Sequence, residues 1–256
     1  MSEPSTSPGS SPVPLLECAG VEKHFGGVHA LAGVSLTISR GELVALVGPN
    51  GSGKSTLVGI VCGAHTPTAG EVRLDGRRVD RLAPHERSHL GVARTHQIPK
   101  PFASMTVRDN VAVACMFGRV SQTLTEARRD AEGQLEIVGL TGHADAFPRE
   151  INLHQRQLLE LARALATRPT LLLLDEVLAG LNPAEVDEAL GVLRKIHEDG
   201  TTIILIEHVM RAVLGLADRI VVLDRGTKLA DAAPDVVMND PAVARAYLGR
   251  EHGARG

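Results

Sequence analysis

The run GPNGSGKST, Gly48 to Thr56, combines three chemical abilities in one short segment. Gly48, Gly51 and Gly53 let backbone N–H groups curl around phosphate oxygens, Lys54 supplies a cation for the β- and γ-phosphates, and the Ser55 hydroxyl can ligate Mg²⁺. Pro49, Asn50, Ser52 and Thr56 complete the loop. The strand-like ELVALV precedes it and the helix-like STLVGIVCG follows, the context a phosphate-binding P-loop requires. A chance glycine-rich turn seldom matches both the letters and the setting.

Further along, Asp175 ends the apolar run TLLLLDE, where its carboxylate is positioned to reach a Mg²⁺ ion through water, and Glu176 follows at the strand's carboxyl edge. A carboxylate there can polarise an attacking water, so hydrolysis as well as binding is expected. His208 lies just past the next apolar run, TTIILIEH, within reach of a γ-phosphate or of that water. Gln97, in ARTHQIPKPF, is a neutral amide at a strand-to-loop transition, able to touch both metal and water. Each of His208 and Gln97 alone reads as an ordinary structural side chain, and their order relative to Gly48–Thr56 and Asp175 favours the site. HERSH, His85 to His89, matches the HExxH zinc pattern by letter, but Pro84 opens a short polar segment there, and a solvated turn explains it better.

The elements that must hold these residues are legible from patterning. LLECAGV, VSLTIS, ELVALVG and EVRLDG are short β-type runs, the last with an Asp-Gly hairpin signal, and together they suggest a mixed or antiparallel subsheet near the N-terminus. TLLLLDE, TTIILIEH and RIVVLDRG are apolar runs separated by helical patterns, as expected of buried parallel strands. Between the first two, Asn182 as N-cap, Pro183 in the first turn and Gly200 after Lys195 and His197 bound a helix. From Gln97 to about Pro148 the β-type signal vanishes, and MTVRDNVAVACMFG and TEARRDAEGQLEIVGL read as amphipathic helices of an inserted subdomain, about residues 98–165. No internal repeat is evident.

Composition limits the alternatives. The chain has 256 residues, 43% of them hydrophobic, enough for a sizeable core, and a formal net charge of −3 provides no basic field for nucleic acid. Cys18, Cys62 and Cys115 form no CxxC pair and suggest a reducing compartment. No run approaches the roughly 18 apolar residues of a membrane span. MSEPSTSPGSSPVP reads as a disordered tail over residues 1–14, leaving a folded domain over 15–250 and a short tail over 251–256.

With these residues in this order, the chain resembles the ATP-binding subunits of ABC transporters over nearly all of residues 15 to 250. FGGVHALAGVSL, GVARTHQ, MTVRDNV, AGLNPAE, IEHVM and PAVARAYLG look like the branched-chain amino acid importer type. The resemblance implies an α/β P-loop NTPase fold with a parallel core sheet, an N-terminal antiparallel β-subdomain and an inserted helical subdomain. It also implies a role for each motif: Phe25 stacking on adenine, Gly48 to Thr56 holding the phosphates of ATP, and Ser55, Gln97 and Asp175 ligating Mg²⁺. Glu176, Gln97 and His208 would act in hydrolysis, and Ala179, Gly180, Leu181 and Asn182 would form the D-loop. The implied partners are membrane permease subunits, a second ATP-binding subunit placed head to tail, and indirectly a solute-binding protein. The chain would sit peripherally on the cytoplasmic face of the membrane, with Ile98 to Ala146 receiving the permease.

Two departures stand out. The family's glycine-rich signature segment, which closes over the partner's ATP, aligns here with Ile151, Asn152, Leu153, His154 and Gln155, and only Gln155 matches. Asn152 is still expected to cap the helix and donate to phosphate, whereas His154 places an imidazole where little room is expected. His154→Gly is therefore expected to raise turnover. Val177 replaces the proline that usually follows the acidic pair. Two readings follow: an ATPase powering import of a small solute, amino acids first and urea, amides or carboxylates next, or a regulatory nucleotide-binding subunit with weak turnover.

Overall fold

A computed structural model describes residues 13–120 and 122–248. Of the tail expected over 1–14 only residues 13 and 14 are described, and the tail expected over 251–256 lies outside the described residues. Strands β1 (Leu16–Phe25) and β2 (Val28–Ile38) form an opening hairpin, and β3 (Leu43–Val47) leads into helix α1 (Lys54–Val61). Then come β4 (Ala69–Leu74), β5 (Arg77–Arg78), α2 (Pro84–His89) and β6 (Val92–Arg94). Three α-helices follow with no strand between them: α3 (Val107–Met116), α4 (Leu124–Ile137) and α5 (Leu153–Ala166). Next are β7 (Leu171–Asp175), α6 (Pro183–Glu198), β8 (Thr202–Ile206), α7 (Met210–Leu216) and β9 (Arg219–Asp224). The described chain closes with β10 (Thr227–Ala232), α8 (Pro234–Met238) and α9 (Pro241–Leu248).

Four strands make an antiparallel sheet in the order β2-β1-β4-β5, and six make a second sheet in the order β10-β9-β3-β8-β7-β6. In the second, all neighbours are parallel except β10, which pairs antiparallel with β9 at the edge. ELVALVG, grouped by sequence with the N-terminal strands, belongs instead at the centre of the parallel sheet. The reason is burial: every residue of β3 is buried, which only a strand covered on both faces requires, whereas β2 ends in alternating exposed and buried residues. The Asp-Gly signal holds, since Asp75 (φ 51°) and Gly76 (φ 73°) join β4 to β5 with the positive φ pair of a tight hairpin turn.

The leucines of β7 show why its sequence alternates nothing. Leu171 and Leu173 face one apolar cluster, shared with α1 and the antiparallel sheet, while Leu172 and Leu174 face another, shared with α5, α6 and the helices α3 and α4. Successive side chains of a strand point to opposite faces, so a strand between two cores must be apolar at every position. Polar caps then fix the helix starts around it: Thr106 Oγ1 accepts from Asp109 N at 3.1 Å, and Asn182 Oδ1 accepts from Ala184 N and Glu185 N at 3.0 and 3.1 Å. The carboxyl ends of β3, β8 and β7 lie side by side. Gly48, Asp175 and His208 thereby come to one edge of the sheet, where open parallel sheets bind ligands.

Candidate functional site

Gly48–Gly53 turns sharply from β3 into α1, and its glycines are there for space as well as flexibility. A Cβ on Gly48 (φ 147°) would stand 2.1 Å from Leu223 O, and one on Gly53 (φ 106°) 2.7 Å from Ala30 O. The loop is braced by Ser52 N donating to Pro49 O at 3.1 Å and by Gly226 N donating to Ser52 O at 2.9 Å. Gly53 occupies the N-cap of α1 without a side-chain cap, so the first amides of the helix are turned toward the pocket. Lys54, buried, has its Nζ on Gly48 O at 2.7 Å and Pro49 O at 3.1 Å. A cavity of about 320 Å³ lies over this loop, lined by Asn50 to Thr56, by Val28, His29 and Ala30 of β2, and by Glu176.

Glu176 stands at φ 51°, a left-handed conformation unusual for a residue with a long side chain, and its N–H donates to Ile206 O at 2.9 Å. That turn lifts the carboxylate off the end of β7. Gln97 Nε2 donates to Glu176 Oε2, and His208 Nε2 lies 3.0 Å from Glu176 Oε1, so three distant sequence segments meet on one carboxylate. Asp175, buried, is held differently: Arg94 Nη2 donates to its Oδ2 at 2.6 Å, and its own N–H donates to Thr95 Oγ1 at 3.3 Å. Ser55 hydroxyl, Gln97 amide and Asp175 carboxylate are all hard oxygen donors at the same end of the sheet, a set suited to Mg²⁺ and unsuited to softer metals.

The remaining sequence candidates are placed less uniformly. Phe25 ends β1 half exposed, edge-on to His65 at 5.3 Å between centroids and with Lys23 Nζ 5.0 Å from its ring centre. It stands beside the cavity rather than in its wall, where the residues across the hairpin, Val28 to Ala30, are found. Gln155 and Asn152 form a reciprocal cap: Gln155 N donates to Asn152 Oδ1 at 2.8 Å and Asn152 N to Gln155 Oε1 at 3.0 Å. His154 corrects the sequence expectation. Its side chain is turned away from the helix end and buried against α6, with Nε2 3.4 Å from Glu188 Oε2, because position 154 lies on the apolar face that α5 presents to Leu181, Ala189 and Leu193. In this arrangement the imidazole offers nothing to a phosphate at the helix start, and the backbone amides of Leu153 and His154 are what face outward there. Ala179 to Asn182 pack on the same region, with Gln157 Nε2 donating to Ala179 O at 2.9 Å and Asn182 capping α6. Val177, in place of proline, lies partly buried beside His154 and Leu181.

HERSH forms α2 with His85 and His89 exposed, and among the described residues no group of histidine, cysteine, aspartate or glutamate side chains is disposed to hold a metal. Its buried member is Arg87, which donates to Ile60 O, to Val61 O at 2.9 Å and to Leu82 O at 3.1 Å, closing the carboxyl end of α1. The thiols of Cys18, Cys62 and Cys115 are free, and burial pushes them up to about 12, 11 and 11. Sequence reading missed Arg94, Arg87 and Glu207. Arg94 sits three residues before Gln97 on the same strand exit, and a lone charge amid GVARTHQ was the available signal. Glu207, the residue before His208, is buried and its carboxyl is pushed up to about 7 by that burial.

Comparison with known proteins agrees with this geometry. The ABC transporter family model matches residues 31–179, and a branched-chain amino acid ATP-binding cassette transporter model matches residues 227–253. The high-affinity branched-chain amino acid transport ATP-binding protein BraF of Pseudomonas aeruginosa is 37% identical over 92% of this chain and 98% of its own length. The protein LivG of Salmonella typhimurium, of the same description, is 39% identical over the same shares. Among solved structures, the ADP conformation of an ATP-binding cassette of an ABC transporter superposes with a TM-score of 0.83 at 29% identity, covering 92% of this chain and 99% of that one. A dimeric post-hydrolysis cassette bound to ADP and phosphate superposes with a TM-score of 0.77 at 27% identity, covering 85% and 98%. A P-loop under a carboxylate gathered by Gln97 and His208, on a sheet of this order, is thus shared with these relatives, and the chain belongs to the ABC transporter family as one of its ATP-binding subunits.

Proposed function

We propose that the chain binds and hydrolyses ATP to power import of branched-chain amino acids through a separate membrane permease. The observation that carries the hydrolytic part is the meeting of Gln97, Glu176 and His208 at the mouth of the P-loop cavity. The Gly48–Thr56 amides and Lys54 bind the phosphates, and Glu176, a base fixed at the edge of that cavity, takes a proton from the attacking water. His208 and Gln97 hold the Glu176 carboxylate from two sides and orient it toward the γ-phosphate. Mg²⁺, held by Ser55, Gln97 and Asp175, would neutralise charge on the phosphates. Glu176→Gln keeps the size of the side chain and removes the base. The expected result is ATP binding within about twofold of wild type and hydrolysis slowed by roughly 100-fold or more; hydrolysis at the wild-type rate would refute the assignment.

The solute follows from the relatives, whose names specify branched-chain amino acid transport. No helix among the described residues is long and apolar enough to cross a membrane, so the permease is a separate chain, and this one acts from the cytoplasmic face. A cleft of about 500 Å³ between the sheet and α3 to α5, lined by Cys62, Pro84, Arg94, Ala114, Glu160 and Arg163, suits an entering permease segment. Phe102, under Arg163, and Phe117, beside Thr167 at the rim, are exposed next to it. The second subunit is required because the helix start at Asn152 lies on this chain, outside the cavity it would complete.

The signature segment supports one secondary reading, a regulatory subunit of low turnover. Leu153 is half exposed at the helix start where the family places glycine, so the approach of a partner's γ-phosphate to the amides is narrower. A heterodimer with a subunit carrying an intact signature would then hold one fast and one slow site.

A further inference from the structure

Glu207 is the last residue before the switch loop and the one charge that ends the apolar strand β8. It is 3% exposed, and among the described residues no cation pairs with it. A buried carboxylate without a cation is costly unless N–H groups surround it, and here they do. Leu178 N donates to its Oε1 at 2.9 Å, and the backbone N–H groups of His208 and Val209 also point at the carboxylate. Leu178 lies between Glu176 and the D-loop, while His208 and Val209 open the switch loop. One side chain therefore fastens two loops that come from different strands.

The loops so joined are contiguous with both ends of the chemistry. On one side, Gln157 of α5, the helix that begins with the signature segment, donates to Ala179 O at 2.9 Å, one residue from Leu178. On the other, His208 Nε2 is 3.0 Å from Glu176 Oε1, and Glu176 N donates to Ile206 O at 2.9 Å, one residue before Glu207. We infer that Glu207 is a positioning residue that locks the D-loop to the switch loop, so that the part of the chain facing the second subunit sets the placement of His208 on Glu176. It does so by accepting hydrogen bonds with both carboxylate oxygens, which no neutral side chain of the same size reproduces. Glutamine offers one acceptor, and its amide nitrogen would face backbone N–H groups donor to donor.

This inference rests on the reading that Glu176 and His208 act on ATP, and its test separates the two. Wild type, Glu207→Gln, Glu207→Asp, His208→Ala and the Glu207→Gln/His208→Ala double variant are compared as full chains in the permease complex at pH 8. Turnover and ATP affinity are measured for each, with thermal unfolding as a check on folding. Glu207→Gln is expected to lower kcat by about tenfold to 100-fold with ATP affinity within about twofold, because a misplaced group costs rate more than binding. Glu207→Asp keeps both acceptors and is expected to recover part of that loss, which also keeps the test alive should Glu207→Gln fail to fold. In the double variant the loss is expected to be no larger than for His208→Ala alone, since Glu207 acts through His208. A wild-type kcat in Glu207→Gln, multiplied losses in the double variant, or an Asp variant as slow as Gln would each overturn the inference. If His208→Ala and Glu176→Gln turn over like wild type, the assignment of the hydrolytic residues has failed instead.

Discussion

Glu176 is brought to the P-loop by its own backbone: a left-handed residue after β7 raises the carboxylate to where Gln97 and His208 both reach it. The price in backbone strain, of order 1 kcal/mol, falls on the residue whose aim matters most. A second titratable carboxyl, Glu207, lies beneath it and is pushed up to about 7 by burial. An unfolded glutamate titrates near about 4.3. Between those values the folded chain keeps a proton that the unfolded chain has released, so this group favours folding at low pH and loses that contribution as pH rises through 7. Urea unfolding at pH 5.5 and pH 8 is therefore expected to show a decline in stability that shrinks by about 2 kcal/mol in Glu207→Gln. Asp80 and Glu126, whose carboxyls are held below the usual range, act only in more acidic solution and do not blur that window. Equal pH slopes in the two proteins would contradict the placement of Glu207.

At the scale of elements, two substitutions read the supports of the site. Arg87 closes the carboxyl end of α1, the helix whose other end is the phosphate loop. Arg87→Ala leaves the Ile60, Val61 and Leu82 carbonyls without that donor and is expected to cost about 3 kcal/mol, measured by urea unfolding. His154→Gly removes a side chain packed between α5 and α6 and places glycine in the first turn of α5. A loss of about 2 kcal/mol in stability with no gain in turnover is expected, the reverse of what sequence alone suggested. The contrast shows what a sequence carries and what it withholds. The P-loop, the leucine strand and the Asn182 cap were legible because each is a local pattern with one physical use. The direction of His154, the central place of β3 and the buried role of Glu207 were not, because each is decided by what another segment packs against it.

For the whole molecule, the permease cleft and the hydrolytic edge are two surfaces of one sheet, with β6 carrying Arg94 into the cleft and leading to Gln97 at the edge. Phe117, 71% exposed beside that cleft, has no packing role within the chain. Phe117→Asp is accordingly expected to leave the ATPase rate of the isolated subunit unchanged and to weaken stimulation by the permease several-fold, about 1 kcal/mol or more of lost contact. The central claim, that hydrolysis at Glu176 drives amino acid import, is tested most directly by leucine uptake into vesicles. These would hold the assembled transporter, with ATP supplied on the side of this subunit. Wild type is expected to accumulate leucine against its gradient and the Glu176→Gln transporter to accumulate none while still binding ATP; equal accumulation by both would contradict the account.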